Sequence, residues 1–306
     1  MFANLLGFER AASMEISNAI IEDCETILEL EYDRNALSPV WETVFKAFPA
    51  AQGVNSKAVS TDVIKELYEN FFKNGLSDGA CAGLGMESAR IAYRYWKRTR
   101  HRHRTLQNLK TSMGVEGNVL KSSLMLNSGC PWLINDRGKK YNPELLDHEY
   151  FCWQILNFDD FSDATVVFIG DGSAILSNLI MNNMNIKEAV FIDLPHFLIR
   201  QKIVNSDIQV TKSFWTPHTA IKKKINGRVV IINQDSFPEI TEYWLNQYFK
   251  IANDESRLEV FSYNKIDRSV GHSDYHSVIS QSNLKRRYMF ESVMRKDYYF
   301  EYFSVS

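Results

Sequence analysis

Apolar residues recur at three- and four-residue intervals from Ile16 to Leu30 and again from Thr61 to Lys73, where Val63, Ile64, Leu67, Phe71 and Phe72 form one stripe. That period predicts two amphipathic helices, and a third is expected from Met86 to about Leu109. Pro39 and the Ala-Phe-Pro-Ala-Ala-Gln-Gly stretch around Pro49 and Gly53 interrupt the pattern, and Gly75 to Gly85 reads as a Gly-rich loop. The front of the chain, residues 1–149, is therefore expected to be mainly helical.

After Phe161 the period changes. Ala164 to Ile169, Ala189 to Ile192, Arg228 to Ile232 and Leu258 to Ser262 are short runs rich in Val, Ile and Phe, separated by helix-length segments. Such alternation predicts a parallel sheet covered on both faces, an α/β domain over residues 150–306. At the end, Arg287 to Val293 and Tyr298 to Val305 flank Met294-Arg-Lys-Asp297 and read as an antiparallel hairpin.

Composition adds bounds. In 306 residues, 35 Lys+Arg against 37 Asp+Glu leave a net charge of −2, so no global attraction to nucleic acid or an anionic membrane is expected. One segment departs from this: Arg94, Lys97, Arg98, Arg100, Arg102 and Arg104 fall within 11 residues, together with His101 and His103. Spread round a helix they suit a solvated face, or a dock for a phosphate-bearing acceptor. No window reaches the roughly 18 apolar residues of a membrane span, and the start lacks a basic region ahead of an apolar run, so a soluble cytoplasmic protein is expected. Cys24, Cys81, Cys130 and Cys152 stand singly, which suits free thiols in a reducing compartment.

The candidate chemistry centres on Val166 to Ile180, a buried run that turns through Gly170-Asp171-Gly172 into a helix. Glycines there allow a sharp turn and a close approach of ligand to main-chain N–H groups. About 20 residues on, Phe191-Ile-Asp193-Leu194-Pro195 places a carboxylate at the end of the next strand, where it can accept both ribose hydroxyls. A dinucleotide loop would carry glycine three positions after Gly172, where this chain has Ile175, so a dehydrogenase is disfavoured. The spacing fits better the E-x-G-x-G-x-G motif of S-adenosylmethionine-dependent methyltransferases, with Phe168 in place of the acid and Ala174 in place of the third glycine. Methyltransferases of this class also end their sheet with an antiparallel hairpin strand. The last strand is accordingly expected inside the sheet, between its hairpin partner and strand five.

Several segments resemble the sugar O-methyltransferases associated with bacterial surface-polysaccharide biosynthesis: Leu126-Asn-Ser-Gly-Cys-Pro131 with Tyr141 downstream, Ile169 to Gly172, Ile192 to Pro195, Ile232-Asn-Gln-Asp-Ser-Phe-Pro-Glu239, and Phe261-Ser-Tyr-Asn264. The resemblance covers about half the chain. It implies a Rossmann-like class I methyltransferase sheet behind a helical cap, S-adenosyl-L-methionine as cofactor, and a sugar hydroxyl as acceptor. Expected cofactor contacts are Gly170, Asp171, Gly172, Asp193, Leu194, Asn233 and Asp235. A sugar hydroxyl needs its proton removed, and Glu239, Asp235 and His272 are the expected bases at the carboxyl ends of strands four and five, with Asn264 orienting the acceptor. His272, Asp274 and His276 could share one face of a strand as metal ligands, but Ser, Asp, His and Gly together read better as a polar loop, and no metal is expected. A non-sugar small-molecule acceptor, or a non-catalytic binding protein on a degenerate methyltransferase fold, are the alternatives.

Overall fold

The computed structural model describes residues 8–10, 89–112, 120, 132–136, 139–141, 145–158, 160–172, 174–266 and 274–305. The helices expected at Ile16–Leu30 and Thr61–Lys73, the Gly75–Gly85 loop, the Leu126–Pro131 segment, His272 and the side chain of Arg94 lie outside them.

Three short strands, Phe8–Arg10 (β1), Trp132–Asp136 (β2) and Lys139–Tyr141 (β3), form an antiparallel sheet that the hydrophobic pattern did not announce. The main sheet has seven strands: Phe161–Ile169 (β4), Ile186–Ile192 (β5), Thr211–Trp215 (β6), Arg228–Gln234 (β7), Arg257–Lys265 (β8), Leu284–Glu291 (β9) and Tyr298–Val305 (β10). Their order is β6-β5-β4-β7-β8-β10-β9. The first five run parallel, and β10 lies antiparallel between β8 and β9, with Tyr298 opposite Lys265 and Ser304 opposite Glu259. The expectation for the last strand holds. Five parallel strands with a reversed strand inserted at the end make the sheet of a class I methyltransferase, a Rossmann-like α/β fold.

Burial explains why these runs become strands. From Ala164 to Ile169 every residue of β4 is buried, because helices cover both faces, and β-branched and aromatic side chains fit a pleated surface closed on both sides. Val166 and Phe168 point into one core with Ile180 and Leu198, while Val167 and Ile169 point into the other with Leu245 and Tyr248. Strand β6 escaped sequence reading because Thr-Lys-Ser-Phe-Trp is an edge strand with no continuous apolar run.

The helix expected from Met86 runs as Ala89–Ser112 (α1). It crosses Leu145–Leu156 (α2), whose Tyr150, Phe151, Cys152 and Ile155 are buried in the first core. Phe151 stacks on Tyr263 at 5.5 Å and meets Phe300 edge-on at 5.7 Å, locking α2 over β8 and β10. Ile175–Asn183 (α3), Pro195–Val204 (α4), Pro217–Ala220 (α5), Glu242–Tyr248 (α6) and Tyr275–Ser280 (α7) complete the described helices. After β7 a 3₁₀ turn over Phe237–Glu239 precedes α6. Among the described residues no helix is long and apolar enough to cross a membrane.

Candidate active site

The strand order reverses direction between β4 and β7, and in open α/β sheets ligands bind at the carboxyl ends of strands beside such a switch point. Gly170, the first residue past β4, has φ of 65°, and its N–H donates to the Ile192 carbonyl at 3.0 Å, tying the ends of β4 and β5 together. A Cβ on Gly170 would lie 2.2 Å from Ser236 Oγ, so glycine is required for conformation and for space. Ala174, in the place of the motif's third glycine, also has positive φ, at 60°. The turn keeps the glycine-type backbone although the residue has changed, at a cost of about 1–2 kcal/mol.

Asp171 is expected at the cofactor, but its Oδ2 accepts the Ser177 N–H at 3.0 Å and so caps the first turn of α3. Phe168, where the motif has an acid, is buried and stacks on Phe191 at 5.3 Å, which stacks in turn on Phe214 at 5.1 Å. The three rings form a ladder across β4, β5 and β6, so this position serves the core.

Asp193 sits at the end of β5 as expected. Its Oδ1 accepts the Leu194 N–H at 2.8 Å, and its Oδ2 accepts from Gln201 Nε2, in the second turn of α4, at 2.7 Å. Gln201 is fully buried, and its Oε1 has no hydrogen-bond partner among the described residues. Two further acceptors share that state: Gln234 Oε1 at the end of β7 and Asn264 Oδ1 near the end of β8. Orphaned buried acceptors are rare in folded proteins, and these three, one on α4 bonded to Asp193 and two at strand carboxyl ends, suit a ligand rich in donors. The hydroxyls, ammonium and exocyclic amine of S-adenosylmethionine are such donors.

Asn233, expected at the cofactor, is bonded within the fold. It is 1% exposed and uses both ends of its amide: Nδ2 donates to the Ile169 carbonyl at 2.8 Å and to Ser236 Oγ, and Oδ1 accepts from Phe237 N and Asn264 Nδ2. It cross-links β4, the turn after β7, and β8. Asn264, expected beside the acceptor, is likewise fully buried against Asn233.

Asp235 follows β7 with φ of 63°, and its Oδ2 accepts Arg295 Nη1 at 2.5 Å. Arg295 belongs to the hairpin turn between β9 and β10. Its guanidinium lies 3.5 Å from the Tyr298 ring centroid, donates to the Tyr298 hydroxyl, and places the same Nη1 3.6 Å from Asp147 Oδ2. Burial works to lower the Arg295 pKa, and the Asp235 and Asp147 carboxylates outweigh it, so the guanidinium stays charged. Arg102 of the basic helix pairs with the same Asp147 Oδ2 at 2.9 Å, and Lys110 pairs with Glu149. The basic run of α1 thus divides: Arg102 turns toward α2, as Lys110 does beyond the run, while Lys97, Arg98, His101 and Arg104 are exposed. Glu239 ends the 3₁₀ turn after β7, partly exposed.

The segment containing His276 is a helix over Tyr275–Ser280, so the polar loop expected there, like the strand alternative, does not hold. Asp274 accepts Ser277 N–H at the start of α7, while His276 Nε2 lies 2.9 Å from both oxygens of Glu301, a fully buried carboxylate on β10. Tyr275 donates its hydroxyl to the same group at 2.8 Å. These residues pin α7 to the sheet.

Sequence reading missed Arg295, Tyr298, Asp147 and Gln201. Gln201 had a signal, as the residue on α4 two turns after Asp193; the others meet only through long-range folding.

No protein-family model and no curated protein sequence matches the chain. Among solved structures, a SAM-dependent methyltransferase from Aquifex aeolicus is similar at 15% identity over 51% of this chain and 89% of that one, with TM-score 0.39. The mitomycin 7-O-methyltransferase is similar at 13% identity over 87% and 97%, with TM-score 0.42. Magnesium protoporphyrin IX methyltransferase from Synechocystis PCC 6803, with bound SAH, is similar at 10% identity over 53% and 84%, with TM-score 0.37. At these values the likeness adds nothing to the strand order already described.

Proposed function

We propose that this protein is an S-adenosylmethionine-dependent O-methyltransferase of the cytoplasm, acting on a sugar hydroxyl. The observation that carries the reading is the Gly170 turn bonded to the end of β5 immediately before Asp193, at the switch point of a methyltransferase sheet. The resemblance of Ile192 to Pro195 and Ile232 to Glu239 supports the sugar acceptor. S-adenosylmethionine supplies an electrophilic methyl group on a sulfonium. Asp193, oriented by Gln201, accepts the ribose hydroxyls, and the Gly170–Gly172 turn offers main-chain groups without a Cβ in the way. Asn233 holds that turn in register, and Asp235 and Leu194 follow the carboxyl ends of β7 and β5. The exposed Lys97, Arg98, His101 and Arg104 of α1 are available to an acceptor phosphate. The acceptor's proton goes to a carboxylate on the β7–β8 side of the cleft, where Glu239 is one candidate.

Transfer of tritiated methyl from S-adenosylmethionine to a panel of nucleotide sugars tests this reading. Label on a nucleotide sugar supports it, label only on other small metabolites moves the acceptor, and absence of cofactor binding overturns it. Phe168, a core aromatic where an acid is usual, favours a second reading: a binding protein that has kept the fold without the reaction.

A further inference from the structure

Asp147, near the cleft, has one carboxylate oxygen that is buried with no hydrogen-bond partner among the described residues. The residue is 8% exposed, in the first turn of α2. Oδ2 is held by Arg102 from α1 and faces Arg295 from the hairpin turn, while Oδ1 is buried without a hydrogen-bond partner among the described residues. A buried carboxylate oxygen left bare costs free energy that a purely structural ion pair has no reason to carry. It stands on the β7–β8 side, because one nitrogen of Arg295 bridges it to Asp235 at the end of β7.

We propose that Asp147 Oδ1 accepts the hydroxyl of the methyl acceptor and takes its proton, as general base. This deepens the methyltransferase reading and rests on it. As the acceptor's O–H bond breaks, its electron pair stays on oxygen for the new carbon–oxygen bond. The electron pair of the sulfonium's carbon–sulfur bond stays on sulfur, and the proton bonds to Oδ1, to be released later to water. Arg102 and Arg295 hold the other oxygen, so the carboxylate keeps one orientation throughout. The charged and titratable groups facing it are Arg102 from α1, Arg295 from the hairpin turn, Asp235 beyond β7, Tyr263 on β8, Tyr298 on β10 and His148 on its own helix. Burial is the largest influence and raises the pKa from its ordinary value; Arg102 and Arg295 pull it down, and Asp235 pushes it up. A carboxyl shifted upward is a better base near neutral pH than an exposed one.

Two measurements on the full chain test the assignment. In the first, tritiated methyl from S-adenosylmethionine is counted into a polar extract of the source cells across a pH series, for the wild type, Asp147→Asn and Glu239→Gln. Asp147→Asn keeps the shape and should lose on the order of a hundredfold in transfer, together with the acid limb of the pH profile, while binding S-adenosylhomocysteine within about twofold of the wild type. Transfer by Asp147→Asn near the wild-type rate overturns the proposal, and a loss confined to Glu239→Gln gives the proton to Glu239 instead. A wild type that binds no S-adenosylhomocysteine overturns the methyltransferase reading itself, a separate failure. The second measurement needs neither activity nor a variant: carboxyl carbon shifts of ¹³C-aspartate protein, assigned through the backbone, should show Asp147 titrating above the ordinary aspartate range. Titration within or below that range contradicts the role.

Discussion

The two halves of the strand-end cleft are built differently. On the β4–β5 side the carboxylates bond to groups close in sequence: Asp171 caps a helix six residues on, and Asp193 bonds to Leu194 and Gln201. On the β7–β10 side the contacts join residues 45 and 60 positions apart, Arg102 to Asp147 and Arg295 to Asp235, so four separate segments must fold before the group exists. The first half is a prefabricated turn, and its tolerance to substitution is set by backbone geometry. The second is an ion-pair assembly, and its tolerance is set by what each charge has left when a partner goes.

The largest effect on stability is expected at the prefabricated turn. Gly170→Ala combines left-handed backbone strain with a Cβ against Ser236, and should destabilise the fold by about 2–4 kcal/mol in urea unfolding. Adding Ser236→Gly should relieve the steric part and leave the strain, which separates the two causes within one series. Arg295→Met comes next. It removes the partner of Asp235 and one of the two of Asp147, and should lose about 2–3 kcal/mol, while Arg102→Met should lose less because Arg295 still faces Asp147. Equal losses for the two variants would mean that the bridge is not shared as described.

The sign of the pH dependence sharpens the contrast further. Burial raises Asp147 above its ordinary value of 3.8, so the folded chain binds that proton more tightly than the unfolded chain. Its contribution is therefore present below the ordinary value and lost as the pH rises through the folded one. Subtracting the stability–pH curve of Asp147→Asn from that of the wild type should leave a difference that falls with rising pH over that window. A flat difference contradicts the shift. The smallest change is expected at Ala174→Gly, where relief of strain at φ 60° and the extra freedom of glycine in the unfolded chain oppose each other, for a net effect under about 1 kcal/mol.

Legibility in the sequence follows the same division. The five parallel strands and the closing hairpin could be read because their buried faces impose continuous Val, Ile and Phe runs, except at β6, an edge strand with polar residues between its apolar ones. The Gly170 turn and Asp193 could be read because their spacing is fixed within one βαβ unit. The resemblance points to Asn233 and Asn264 as site residues; strand ends are also where a sheet must satisfy its own polar groups, and the Asn233 amide and Asn264 Nδ2 bond within the fold, while Asn264 Oδ1 stays open. Asp147 and Arg295 had no local signal. A carboxylate in the first turn of a helix and an arginine in a hairpin turn are ordinary in isolation, and their chemistry exists only once α1, α2, β7 and the hairpin meet.

The central claim is that the β4–β5 half holds a methionine nucleoside through Asp193. Isothermal titration of the full chain with S-adenosylhomocysteine, beside NAD, for the wild type and Asp193→Ala, tests it most directly. The account predicts saturable binding of S-adenosylhomocysteine alone, weakened at least about tenfold by Asp193→Ala, since charge-assisted hydrogen bonds to both ribose hydroxyls are lost. Binding of NAD in its place, or an affinity for S-adenosylhomocysteine unchanged in Asp193→Ala, would contradict it.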